Sequence, residues 1–306
     1  MLIAIDHGNK QIKTLHKTFI SGLAESSTRF PIGNNILKYK DRFYTLSEQR
    51  IPYMRDKSID DRFFILTLFA VAYEILETRP RDADNIMEIQ LAVGLPPAHY
   101  GSQYEKFEKY FSKDNDIIEF EFQDKSYAIY ISDVISFPQA YAAAIPVYNQ
   151  ICNYSKAIIV DIGGFTVDYL QIKKGQADLS VCDSLESGVI TLYNTIKSEI
   201  NADFDLLLEE SDIDTILRNE PCDFSNAIIS AVEKQAGIYI MDLIGRLRER
   251  MIDLKSSKAI FVGGGSSLLR KYIENSNKLG HAIFVEEINA NTRGYELLYQ
   301  TSCTER

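Results

Sequence analysis

The 306-residue chain is poor in residues that build metal or redox sites. Its four cysteines, Cys152, Cys182, Cys222 and Cys303, are widely spread, and no two have metal-ligand or redox-pair spacing. They read as reduced thiols of a cytoplasmic protein. The four histidines, His7, His16, His99 and His281, form no cluster either. Met1 to Asp6 is too short an apolar stretch for a signal peptide. No apolar run approaches the ~20 residues that a membrane span needs, so no membrane partner is expected. Positive charge is scarce: 33 Lys and Arg stand against 43 Asp and Glu, a net charge of −10. The basic footprint of direct duplex binding is missing, so nucleic acid would be reached through a basic partner. Neither G-x-x-x-x-G-K-[ST] nor G-x-G-x-x-G occurs, which excludes a P-loop and a dinucleotide fingerprint. Low-complexity tracts and Ser/Gly linkers are absent too.

What is present is an ordinary globular composition, 45% hydrophobic and 25% charged, long enough for one large or two medium domains. The chain opens with a short apolar run, Leu2 to Ile5, ending at Asp6 and followed by the turn residues Gly8-Asn9 and a second strand from Ile12. Residues 21 to 57 read as short strands and loops of a small subdomain. Ser58 offers an N-cap to a helix that is apolar on most of its surface, from Phe63 to Leu76. A strand at 86 to 93, a polar helix at 97 to 112 and a hairpin over 117 to 131 follow. An Ala-rich helix is expected over 137 to 150, kinked at Pro146. The opening pattern then returns: Ala157 to Val160 ends at Asp161, Gly163-Gly164 turns, and a strand runs back from Phe165. Helices fill 203 to 252. A strand at 259 to 262 breaks at Gly263-Gly264-Gly265, and the chain closes with a strand at 281 to 285 and a helix near 292 to 300. The weak repeat of strand, aspartate and glycine turn implies an internally duplicated architecture.

A glycine turn lets backbone N–H groups converge on an anion. An aspartate ending the preceding strand can hold Mg²⁺ through water, since that ion keeps several of its waters. Either tip alone is no more than an ordinary hairpin. Two tips of one grammar, each opening half of the chain, point to a polyphosphate clamped from both sides. Gly263 to Gly265 after a strand could be a simple strand-to-helix turn, or a place where a base and ribose lie against bare backbone.

These residues resemble the actin-like ATPases. Asp6-x-Gly8-Asn9 and Asp161-Ile-Gly-Gly-Phe-Thr-Val-Asp168 look like the two phosphate loops, and Val262-Gly263-Gly264-Gly265-Ser266 like the adenosine motif. Phe137-Pro138-Gln139-Ala140 and Asn289-Ala-Asn-Thr-Arg293-Gly294 sit where that family has its connecting helices. Gly94-Leu95-Pro96-Pro97 with Tyr100 resembles the ParM/StbA plasmid-segregation branch. The resemblance implies a two-domain α/β fold, a duplicated ribonuclease H-like architecture with a nucleotide cleft. The first domain would cover 1–136, with a small inserted subdomain at about 30–57. The second would cover 137–306, with connecting helices at 137–150 and 292–300. It further implies ATP, or GTP in its place, with Mg held by Asp6 and Asp161 through water. The nucleotide would be contacted by His7, Gly8, Asn9, Lys13, Gly163, Gly164, Phe165, Thr166, Gly263, Gly264, Gly265 and Ser266, with Glu186 and Gly188 at a helix entry. Glu233 and Lys234 are a second choice for the ribose, although charges on a helix are mostly solvated faces. Asp168 reads as an ordinary strand-end residue.

Gln139 separates reaction types. A sugar kinase needs a carboxylate to take the acceptor's proton. Gln139 cannot accept one but can orient a water for in-line attack, as a glutamine does in the GTPases. The ParM branch often carries a glutamate here, so Asp133 stands as an alternative. The resemblance thus implies a filament-forming ATPase, a homo-polymer, that segregates DNA through a DNA-binding adaptor. A small-molecule kinase of the same fold is the rival reading. A chaperone-like ATPase fits less well, since only twelve residues follow Gly294.

Overall fold

The computed structural model describes residues 1–30, 33, 35–78 and 86–304. The chain forms two compact units, Met1–Ile145 with Asn291–Arg306, and Pro146–Ala290. Part of the expected small subdomain (residues 31, 32 and 34) lies outside the described residues.

In the first unit a nine-stranded sheet is built from β1 (Leu2–His7), β2 (Gln11–Lys13), β3 (Thr18–Ile20), β4 (Leu23–Ser26), β5 (Ile36–Tyr39), β6 (Arg42–Leu46), β7 (Met87–Leu95), β8 (Ile117–Phe122) and β9 (Lys125–Pro138). Their order is β3-β2-β1-β7-β9-β8-β5-β6-β4. β1 and β9 both run parallel to β7. β7 is nearly all apolar because a central parallel strand is covered on both faces. Helix α1 (Arg62–Thr78) is buried over most of its circumference, as its sequence requires. It begins four residues later than Ser58. Asp56 takes both the Ser58 amide and hydroxyl, and Asp60 accepts from the Arg62 amide at 3.0 Å. Helix α2 (Pro97–Ser112) starts with proline, whose missing N–H costs nothing in a first turn.

The helix expected over 137–150 does not form as one piece. Phe137 and Pro138 instead extend β9, paired with Gly94 and Leu95. Only short turns follow, α3 (Tyr141–Ala144), a 3₁₀ turn at Ile145–Val147 and α4 (Tyr148–Ile151), since Pro146 cannot donate to a helical ladder.

The second unit holds a five-stranded sheet of β10 (Ala157–Ile162), β11 (Val167–Lys173), β12 (Gln176–Leu185), β13 (Lys258–Val262) and β14 (His281–Phe284), in the order β12-β11-β10-β13-β14. β11 is antiparallel and β13 parallel to β10. This reproduces the run β3-β2-β1-β7-β9 strand for strand and sense for sense, so the repeat read from two aspartates is a repeat of sheet topology. Helices α5 (Val189–Phe204), α6 (Glu210–Leu217) and α7 (Asn226–Glu249) build the core of this unit with the sheet. α8 (Gly264–Leu268) and α9 (Arg270–Asn275) follow β13.

The last helix, α10 (Ala290–Thr304), packs on the first unit rather than the second. Tyr295 and Tyr299 join Ala4, Ala92, Phe137 and Ala142 in a small apolar cluster. A Cβ on Gly94 would fall 2.0 Å from the Tyr295 hydroxyl oxygen, and one on Gly294 1.9 Å from the Ala142 carbonyl. Asn291 Oδ1 accepts from the Ala140 amide at 3.1 Å. Among the described residues no helix is long and apolar enough to cross a membrane.

Candidate functional site

At the first tip, Asp6 ends β1 buried at 5% exposure, directly opposite Lys13 of β2. Directly opposed residues share a face of the sheet, so the Asp6 and Lys13 side chains leave β1 and β2 on the same side. Gln139, also buried, follows β9, and its Nε2 donates to Asp6 Oδ1 at 2.9 Å. Its own amide is tied to the Leu95 carbonyl at 2.8 Å, and the next residue, Ala140, has φ +62. The structure therefore brings Asp6 and Gln139 into contact, with Lys13 opposite Asp6 on the neighbouring strand. Asp133 is elsewhere. It pairs with Gln90, itself level with Leu2, which puts it about 13 Å down the sheet from Asp6. Its carboxylate accepts from the Tyr299 hydroxyl at 2.8 Å, a packing role.

His7 is also corrected. Its imidazole is in the core, stacked 4.7 Å from Phe111, with Nε2 2.8 Å from Thr67 Oγ1. Thr67 gives its single hydroxyl proton to the Phe63 carbonyl, so His7 Nε2 carries the hydrogen that Thr67 accepts. Burial first, and the nearby Lys57 charge second, hold its pKa well below the ordinary 6.5. A neutral ring facing the core leaves only the His7 backbone to act at the tip.

At the second tip, Asp161 of β10 stands opposite Asp168 of β11, and both are buried. Asp168 accepts from Thr166 Oγ1 at 3.1 Å and from Ser184 Oγ. The Thr166 hydroxyl is thus directed to Asp168 and away from the role of phosphate donor. The backbone supplies donors instead. The carbonyls of Gly163, Gly164 and Phe165 accept from Val189, Ile190 and Gly188 at 3.1, 3.0 and 2.9 Å. A planar peptide points C=O of one residue opposite to N–H of the next. The amides of Gly164, Phe165 and Thr166 therefore face away from α5 as a row of N–H groups, the arrangement that holds anions. Gly188 has a packing reason to lack a side chain, because its Cβ would lie 2.4 Å from the Gly164 carbonyl oxygen. Glu186, just before it, is exposed.

The three glycines after β13 divide. Gly263 has φ +87, and its Cβ would meet Asp161 Oδ1 at 2.1 Å. Gly265 would drive a Cβ into Ile162 and Val189. Gly264 is exposed, and a Cβ there meets nothing within 4 Å. Ser266 is buried with its hydroxyl on the Val262 carbonyl at 2.5 Å, so it closes the turn of its own helix. On α7, Glu233 is paired to Lys271 at 2.7 Å, and Lys234 lines a groove with Ile238, Met241 and Tyr272.

Among the described residues no three His, Cys, Asp or Glu side chains gather as a cation cage. The donors fit Mg²⁺ in another way. Asp161 and Asp168 set two hard carboxylates on one face at the tip, where an ion that keeps most of its waters needs few protein ligands. Sequence reasoning missed Lys57, Ser21 and Ser184, lone polar residues whose partners lie 50, 13 and 16 positions away in other elements.

Two family models match. "Actin like proteins N terminal domain" covers residues 4–141, and "Archaeal actin homologue MreB-like, C-terminal" covers 159–275. No curated protein matches the sequence. Many solved structures share the fold. The archaeal actin homologue Ta0583, in complex with ADP, is 17% identical with TM-score 0.73, over 98% of this chain and 99% of that one. The Alp12 filament structure is 17% identical with TM-score 0.68, over 99% of both. The Bacillus thuringiensis ParM with AMPPNP is 14% identical with TM-score 0.67, again over 99% of both.

Proposed function

Because the chain belongs to the actin-like proteins, we propose that it binds ATP with Mg²⁺, hydrolyses it, and assembles into filaments of its own copies that move DNA through a DNA-binding adaptor. Each unit carries a tip whose backbone and carboxylate suit the phosphates of a nucleotide. The observation that carries the hydrolytic reading is the Gln139–Asp6 hydrogen bond. It holds the amide at the phosphate tip with Nε2 engaged, leaving Oε1 to accept a hydrogen bond from the attacking water and so orient it. An amide cannot take a proton from a sugar hydroxyl, which disfavours the kinase reading. The row of amides at Gly164 to Thr166 binds phosphate oxygens and stabilises charge as it develops. Lys13 opposite Asp6 adds a cation at the first tip. Asp161, with Asp168 opposite it, would hold Mg²⁺ through water, and Asp6 is the matching carboxylate of the first unit. Bound Mg²⁺ supplies charge neutralisation on the β- and γ-phosphates. Gly264, the one glycine of its turn that packing does not require, is where the adenosine lies against backbone. The solved relatives with ADP and AMPPNP and the Alp12 filament support this reading.

Light scattering and phosphate release are followed together after adding MgATP, with MgGTP as a second arm. ATP-dependent scattering that decays as phosphate appears is expected. Phosphate release without scattering would discard the filament, and transfer to a sugar in place of water would restore the kinase.

A further inference from the structure

The two tips have their carbonyls held in different ways. In the second, backbone amides at the start of α5 take the carbonyls of Gly163, Gly164 and Phe165. In the first, side chains do this. Lys57 Nζ donates to the His7 carbonyl, and Ser21 Oγ donates to the Gly8 carbonyl at 2.5 Å. Both residues are buried, Lys57 at 5% exposure and Ser21 at 0%. Ser21 is anchored through its backbone as well, giving its amide to Lys10 and taking that of Ile51 at 3.1 and 2.8 Å. By the same peptide geometry, carbonyls of His7 and Gly8 drawn inward turn the amides of Gly8 and Asn9 the opposite way.

Burying an ammonium is costly, and a methionine would pack against the Phe63 ring, which lies 5.5 Å from Nζ, without that cost. Its hydrogen bond to the His7 carbonyl is one return on that cost. A cation behind the tip also favours an anion in front of it.

We propose that Lys57 is a positioning residue of the first tip, its ammonium holding the His7 carbonyl so that the Gly8 amide faces the phosphates of the bound nucleotide. The proposal rests on the nucleotide reading above. Ser21 plays the neutral counterpart at Gly8.

The test compares the parent protein with Lys57→Met, Lys57→Arg and Ser21→Ala. Calorimetry measures MgATP affinity, and amide NMR follows the Gly8 N–H on addition of MgADP. A lost charge-assisted hydrogen bond weakens a dependent contact roughly tenfold or more. Lys57→Met should show that loss for MgATP and lose the Gly8 amide shift that the parent shows, while its melting temperature stays well above that of the assay. Lys57→Arg should recover both in large part, and Ser21→Ala should fall between. Parent-like affinity and Gly8 shift in Lys57→Met would overturn the positioning role. So would weakened binding with the Gly8 shift intact, which marks a general loss of packing. A parent protein that binds neither MgATP nor MgADP would overturn the nucleotide reading itself, and the positioning role with it.

Discussion

The Cβ that Gly263 lacks would lie 2.1 Å from Asp161 Oδ1, so the turn after β13 and the carboxylate ending β10 share one space. Gly263→Ala would have to move Asp161 and strain a positive φ. A cost of roughly 1–3 kcal/mol in unfolding free energy is expected, together with weaker nucleotide binding. Gly264→Ala should do the reverse. Its Cβ meets no neighbour, and alanine is the better helix former. Chemical denaturation should find it as stable as the parent or slightly more so, while calorimetry finds MgATP affinity reduced. Unchanged affinity would remove adenosine from this turn.

Gln139 is expected to act mainly in the transition state. Gln139→Ala should slow hydrolysis on the order of 10²-fold with a much smaller change in ATP affinity. Its filaments should assemble with ATP and persist longer, read as slower decay of light scattering. Gln139→Glu would set a second carboxylate against Asp6, where the parent has a 2.9 Å hydrogen bond. Two carboxylates sharing one site raise one pKa, so this variant's pH profile of turnover should differ from the parent's. Normal phosphate release in Gln139→Ala would take this residue out of the mechanism.

Asp161 faces Asp168 across the β10–β11 pair. Like charges directly opposite disfavour a sheet by roughly 0.2–1 kcal/mol. Asp161→Asn, which removes that repulsion and keeps the side chain's shape, should leave the ligand-free protein folded, while Mg²⁺-dependent hydrolysis is largely lost. Full turnover at ordinary Mg²⁺ would show that this carboxylate is not part of the metal site.

The His16 ring lies 2.7 Å from the Glu74 carboxylate, itself buried in α1. That hydrogen bond, the largest effect, holds the His16 pKa above 6.5 against burial, the next largest, with the charges of Glu74, Glu77 and Glu296 adding to it. A pKa raised by folding gives stability that is present in full below the unfolded value and lost as pH rises through the folded one. The parent's melting temperature should fall from about pH 6 to about pH 9 more steeply than that of His16→Gln. Since His16 is half exposed, the difference should be small and should shrink in salt. Parallel curves for the two proteins would remove His16 from the pH response.

Local chemistry made much of this protein legible. Apolar runs ending in Asp6 and Asp161, each followed by a glycine turn, mark strand ends because alternation and turn residues act over a few positions. The same holds for α1, apolar nearly all round, and for the turn at Gly263. The expectation failed at 137–150 because Ala-rich sequence favours helix only where the sheet does not compete. Pairing with Gly94 and Leu95 drew Phe137 and Pro138 into β9.

By itself, then, the sequence determined the strands, the two aspartate tips and the bare glycines, since each depends on neighbours along the chain. Tertiary structure decided what those residues touch. It put Gln139 on Asp6 and Asp133 on Tyr299, and it sank His7 into the core. It set Lys57 behind the first tip and returned α10 to the first unit. These are contacts between residues 50 or more positions apart. They follow from which strands lie side by side and which faces pack, and no period or turn signal in one sequence encodes that.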